Sequence, residues 1–340
     1  MLDAALANPA LGSEFPTLQA SIVIDERGVA RLKRYISLER SNANDFYGLV
    51  GGRATDPIPA KDLQEILSGI AAKPGGVKVA CEILYMRIHS DRDQKRPSEL
   101  GFREAGRELL QSVIFANKEN AQDHRMGSLV RACLTGDGGL QPFKSVCENF
   151  KKAVAAHKAY AFRYDDLIQS LFKARPADAL ETFLGGDAAN QKLGVKILSE
   201  STRHSKNPFK SVTPEIFIQW CEQSPADHYL AAAAVVPQFQ NVGETSNREF
   251  SASAMGLLER APDPVEFLKI FVHRFRPMSW SGSRAAIMES HLPLLRALES
   301  HTDHRIADFA KLEGLRLTQE AERERLWETE NDRNSDERFE

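Results

Sequence analysis

The chemistry of this chain is most concentrated in one stretch, His273-Arg-Phe-Arg-Pro-Met-Ser-Trp-Ser-Gly-Ser-Arg284. It sets His273, Arg274, Arg276 and Arg284 around one turn, with Trp280 and the hydroxyls of Ser281 and Ser283 among them. Guanidinium forks bind carboxylate or phosphate through paired hydrogen bonds, and a helix beginning about Ser283 would add backbone amides to the same anion site. Trp and Arg also anchor protein interfaces. A structural use of the same residues competes with that reading: the cations complement the C-terminus of one helix, and Trp280 plugs the next hairpin.

Other chemistry-bearing residues point to structure. His301 and His304 stand three apart, with His291 upstream, a spacing that can ligate a metal on a helix. The same residues straddle a predicted helix start, with Thr302 as cap and His304 in solvent. Asp165 and Asp166 open a helix, where negative charge suits the positive end of the dipole; Glu322 and Glu324 read as a solvated pair. In Ser41-Asn-Ala-Asn-Asp-Phe-Tyr-Gly-Leu-Val-Gly-Gly-Arg53, Asn44 or Asp45 caps a short helix ending at Gly51-Gly52. The cysteines, Cys81, Cys133, Cys147 and Cys221, include no CxxC pair and lie in apolar helical runs, as buried hydrophobes of a reducing compartment do. No GxxxxGK[ST], GxGxxG, GxSxG or HExxH spacing occurs, so no catalytic residue, metal or cofactor is assigned.

The elements that must position these residues are helices punctuated by proline. Lys61 to Leu84, Asp165 to Leu184, Glu215 to Val236 and Met255 to Phe275 each read as an apolar helix, a proline, and a second apolar helix. Proline breaks a helix interior, suits the first turn of the next helix, and pushes the residue before it out of the helical region. The joints fall at Pro74, Pro176, Pro225 and Pro262, with Ser224 as an N-cap and a further break at Thr135–Gly139. Gly136, Pro176, Pro225, Pro262 and Thr302 follow one another at 40, 49, 37 and 40 residues, near the period of two-helix HEAT-like units. Leu63, Ile66, Leu67 and Ile70, like Leu167, Ile168, Leu171 and Phe172, make one apolar helical stripe. Ala20–Val29 is the one strand candidate, unless it simply enters the following helix. His89–Pro97 and Ser201–Pro214 read as surface connections.

The expectation is therefore an all-α chain, an α-solenoid of stacked helical hairpins. It comprises a mostly helical capping or linker segment (1–56), a repeat array (57–312), and a charged C-terminal helix with a frayed tail (313–340). LIQSLFKARPADAL from Leu167 to Leu180, with the related units around Ile216–Leu230 and Leu257–Leu268, resembles HEAT-like α-solenoid proteins. PGGVKVACEIL at Pro74–Leu84 and RFRPMSWSGSRAAIMES at Arg274–Ser290 are similar to C-terminal helical regions of large bacterial multidomain proteins. That resemblance, over roughly 57 to 320, implies a fold and brings no active-site residues with it.

Charge and hydropathy narrow the function. The formal charge of −3 lacks the concentrated basic surface of a nucleic-acid coat. The N-terminus MLDAALANPALGSEF shows no leader, and the longest apolar run, Leu230 to Pro237, is too short to cross a bilayer. A cytoplasmic protein-interaction or scaffold module with a protein partner follows, as an arm of a larger bacterial assembly. The alternative is a nucleic-acid-binding or -processing repeat protein gripping phosphates with Arg274, Arg276 and Arg284 and stacking a base on Trp280.

Overall fold

The computed structural model describes residues 1–51, 53–97, 100–116, 123–201, 207–241, 248–277 and 280–339. Gly52, Met278, Ser279 and residues 202–206 of the expected Ser201–Pro214 connection lie outside the described residues. Among the described residues the structure is all-α apart from one small hairpin. It divides into two compact units, Met1–Phe183 with Lys196–Ser211, and Leu184–Val195 with Val212–Glu340.

The first unit is built from α1 (Leu2–Ala7), α2 (Phe15–Ala20), α3 (Glu26–Ile36), α4 (Ala60–Ala71), α5 (Gly76–Asp93), α6 (Leu100–Gln111), α7 (Asp123–Cys133), α8 (Leu140–Ala155), α9 (Asp165–Ala174) and α10 (Pro176–Leu184). The boundary between the units crosses α11 (Ala188–Ser201). The second unit holds α12 (Pro214–Cys221), α13 (Pro225–Val235), α14 (Ala252–Leu258), α15 (Pro264–His273), α16 (Arg284–Glu289), α17 (Leu292–Leu298) and α18 (His304–Phe339). Between α13 and α14, β1 (Phe239–Asn241) and β2 (Arg248–Phe250) pair antiparallel, with Phe239 opposite Phe250.

These helices form because each carries an apolar stripe that a neighbour can cover. Leu63, Ile66, Leu67 and Ile70 of α4 are all buried, as are Leu167, Ile168, Leu171 and Phe172 of α9. In the first unit α4 packs on α5 and α6, α6 on α7 and α8, and α7 on α5 and α9. In the second, α12 packs on α13 and α14, α13 on α15, and α15, α16 and α17 on α18.

The joints follow the proline rule with one shift of register. Pro176 and Pro225 open α10 and α13. At Pro74 the chain needs Gly75 in the left-handed region, at φ 72°, before α5 can start. At the fourth joint Pro264, not Pro262, begins the helix, because Asp263 caps it by accepting from the amides of Val265 and Glu266, both at 3.1 Å. Ser224 gives α13 no side-chain cap; its hydroxyl donates to Asp227 instead. Before α18 the cap is Asp303, which accepts from the Arg305 amide at 2.9 Å, rather than Thr302.

Of the two readings of Ala20–Val29 the structure has the second, entry into the following helix: Asp25 accepts from the Gly28 amide at 2.8 Å and starts α3. Two other expectations change. His89–Asp93 continues α5 rather than looping, since Arg87 and Asp91 form a buried i,i+4 pair and Ser90 donates to Asp56. The short helix at Ala43–Val50 is a 3-10 helix capped by Asn42, two positions before Asn44, with Asp45 completing the capping box from inside the helix.

Arginines hold many of the remaining helix ends. Arg107 donates to the carbonyls of Cys133 and Asp137, at 2.9 and 2.7 Å, at the end of α7. Arg175 reaches Leu134 and Gly136 in the same turn. Arg87 donates to the carbonyls of Thr55 and Ile58 and lies 4.6 Å from the Phe102 ring centre. Asp123 serves the opposite kind of end: its carboxylate accepts from the amides of Asp166 and Leu167, both at 2.8 Å, and so caps α9 from α7.

Two outcomes test this packing. A methyl group on Gly106 would run into the Cys133 thiol and meet Leu84 at 3.3 Å. Gly106→Ala therefore destabilises by about 1–3 kcal/mol, and adding Cys133→Ala recovers part of that loss; strictly additive losses in denaturant titration contradict the contact. Burial, with Asp165 and Asp166 adding to it, pushes Asp123 up to about 6. The native state thus holds this proton more tightly than the unfolded chain, and stability falls as pH rises from about 4 through 6. Asp123→Asn removes that slope, a difference of the order of 2 kcal/mol between pH 4 and 7; parallel curves for the two proteins contradict it.

Candidate functional site

The structure separates the sequence-singled cluster into two parts and one outlier. His273 ends α15 and is exposed. Arg274 turns to α13, donating to the carbonyls of Ala233 and Val236 at 3.1 and 2.7 Å. It thus caps the C-terminal end of α13, and burial lowers its guanidinium to about 10.

Arg276, Trp280, Ser283 and Arg284 do come together, against α18. Arg276 places Nε and Nη2 on the two oxygens of Glu320, at 2.6 and 3.2 Å, and Nη2 also reaches Glu313 at 3.4 Å. Arg284 donates to Glu324 at 2.7 Å, with its guanidinium 5.0 Å from the Trp280 ring centre. Ser283 caps α16 by accepting from the Ala286 amide and donates to Glu328 at 2.6 Å. The other Glu328 oxygen accepts from the amides of Arg284 and Ala285. Trp280 is half-exposed, and Ser281 is exposed.

The residues read as an anion site therefore hold anions of their own chain. Glu320 raises Arg276 through their hydrogen bonds, and Arg276 holds Glu320 below the usual carboxylate range. Ser283 and the α16 amides do the same to Glu328. The missing partners were legible only as a spacing: Glu313, Glu320, Glu324 and Glu328 fall at intervals of seven, four and four, one edge of a helix.

The histidines do not converge. His291 is buried, stacked on Phe275 with ring centres 4.5 Å apart, and burial lowers it to about 4. The His301 ring nitrogen accepts from the Asp303 amide. Among the described residues no three His, Cys, Asp or Glu side chains group as metal ligands, and no helix is long and apolar enough to cross a membrane. All four cysteines are buried thiols; burial pushes Cys81, Cys133 and Cys221 up to about 12, far from the thiolate a nucleophile requires.

A different place in the first unit has the character of a binding site. A cleft of about 460 Å³ opens at the α4–α5 joint. Its apolar wall is Val77, Val113, Met126 and Leu129, with Pro74 and Ile114 at the mouth. Tyr164 closes one side, its hydroxyl donating to the Ala116 carbonyl at 2.9 Å. Lys73 and Lys78 stand at the rim, while Arg125 is paired with Glu82 at 2.6 Å. Ile114 is 81% exposed and adjoins the apolar hollow, so that the two together make one apolar surface. Sequence reasoning missed this site, because Ile114 lies just past α6, on a stretch with no motif.

The α18 contact has a direct test. Arg276→Ala leaves Glu320 without its cation and Glu313 with Arg316 alone, costing about 1–2 kcal/mol and speeding amide exchange along residues 313–328. The charge-exchanged pair Arg276→Glu/Glu320→Arg restores part of both; unchanged exchange in the single variant contradicts the contact.

Comparison of the chain with protein-family models, with curated proteins and with solved structures returns no match, so a functional reading rests on the geometry of these two places.

Proposed function

We propose that this chain is a protein-interaction module, a HEAT-like stack of helical hairpins that offers the cleft at the α4–α5 joint to a partner protein. The observation that carries the reading is the cleft itself: an apolar hollow of about 460 Å³ beside an Ile114 that is 81% exposed. Pockets of this size, apolar with a few convergent polar groups, are the usual form of a binding site. An exposed aliphatic residue at the mouth is the kind of anchor around which interfaces concentrate their energy.

Stacking supports the scaffold part of the proposal. Successive hairpins pack on their neighbours, α4 on α6, α6 on α8, α7 on α9, and such arrays serve as extended contact surfaces. The nucleic-acid alternative loses its main support. Arg276 and Arg284 lie on glutamates and Arg274 on carbonyls, so these cations are not offered to phosphates.

Quantitative affinity capture from the native host tests the proposal, comparing the wild-type chain with Ile114→Asp and Val77→Asp, and with Trp280→Ala as control. A protein retained by the wild type and by Trp280→Ala, and lost at least about tenfold by both cleft variants, is expected. Equal retention by all four chains, with circular dichroism showing each folded, contradicts it.

A further inference from the structure

The cleft is one half of a larger surface. On the other side of the segment 112–115 a second, more open hollow is formed by Gln111, Phe115, Asn149, Lys152, Ala153 and Lys158. Residues 112–114 line both hollows, so Ile114 stands on a ridge between them.

Apart from the Arg125–Glu82 pair, the charges that line the two hollows are of one sign. Lys73 and Lys78 border the first hollow, and Lys152 and Lys158 border the second. Among the described residues none of these four lysines has a carboxylate partner within ion-pairing distance. The acid in the lining, Glu82, is taken by Arg125. Arg107, Arg175, Arg274 and Arg276, by contrast, are tied to carbonyls and glutamates. A chain with net charge −3 thus keeps four lysines without a carboxylate partner around this apolar opening. Neither hollow offers an exposed ring on which a base could stack: Tyr164 and Phe115 are 1% and 3% exposed.

Resting on the contact-site reading above, we infer that the occupant is an acidic segment of a partner protein, carrying two large apolar side chains that seat on either side of Ile114 while its carboxylates meet Lys73, Lys78, Lys152 and Lys158. Apolar anchors supply the affinity, and the lysine rim supplies selection and speed of encounter. An amphipathic segment laid in a groove by one apolar face is a recurring mode of peptide recognition. The lysines remain solvated at the rim, so their contribution weakens as salt screens it.

Panning a displayed random peptide library on the full chain tests this, followed by fluorescence anisotropy on the enriched peptides. The inference expects a consensus with two apolar residues and flanking Asp or Glu. It also expects affinity at least about tenfold weaker for the Lys73→Glu/Lys78→Glu/Lys152→Glu/Lys158→Glu variant, and a fall with rising salt. If peptides enrich without acidic residues, are lost with Ile114→Asp, and bind the charge-reversed variant equally well, the inference fails while the contact site stands. No enrichment at all overturns both. Tighter binding to a DNA duplex or to phosphatidylserine vesicles than to any enriched peptide assigns the surface to another class of partner and overturns the inference.

Discussion

A chain made of short helices has an exposed end every ten residues or so, and each end leaves up to four backbone groups without an internal partner. How those ends are satisfied is the constraint on which the rest of this structure depends. Amides are met by carboxylates and hydroxyls: Asp25, Asp263, Ser283 and Asp303 from their own helices, Asp123 and Glu328 from a neighbour. Carbonyls are met by guanidinium forks: Arg107 and Arg175 at the end of α7, Arg274 at the end of α13. The planar fork fits this task because it presents several donors in fixed directions and stays charged when partly buried.

That constraint accounts for the fate of the arginine cluster between His273 and Arg284. Viewed as residue types, the cluster is an anion site. Viewed as parts of a hairpin, Arg274 closes one helix, while Arg276 and Arg284 fasten the acidic edge of a 36-residue helix. Leu317 and Ala321 of α18 are fully buried, but the acidic edge beside them needs cations opposite it. The surface left for an outside partner is consequently found where lysines, not arginines, border an apolar opening. Lysine is the poorer choice for a fixed bidentate contact and the better one for a solvated rim.

Much of the fold was legible in the sequence. The apolar stripes of α4 and α9 and the prolines at 176 and 225 fixed real helices and real joints, because a period of 3.6 and the lost amide of proline act locally. What escaped depends on long-range partners. The helical extension through His89–Asp93 looks polar because its polarity is spent inside, on Arg87, Asp56 and Arg96. The β1–β2 hairpin is too short for alternation to show. The cap of α9 comes from Asp123, more than forty positions earlier, and no local pattern announces it. The cleft at Ile114 was hidden for the same reason: the sequence marks the α4–α5 joint at Pro74–Leu84, but nothing in it says that the end of α6 and one face of α7 come to lie against that joint.

The most direct test of the account is photo-crosslinking in the native host with a benzophenone amino acid in place of Ile114, against the same substitution at Trp280. The account predicts a discrete protein adduct from position 114 and none from position 280. An adduct from position 280 with none from 114 would contradict it, moving the contact surface back to the arginine hairpin.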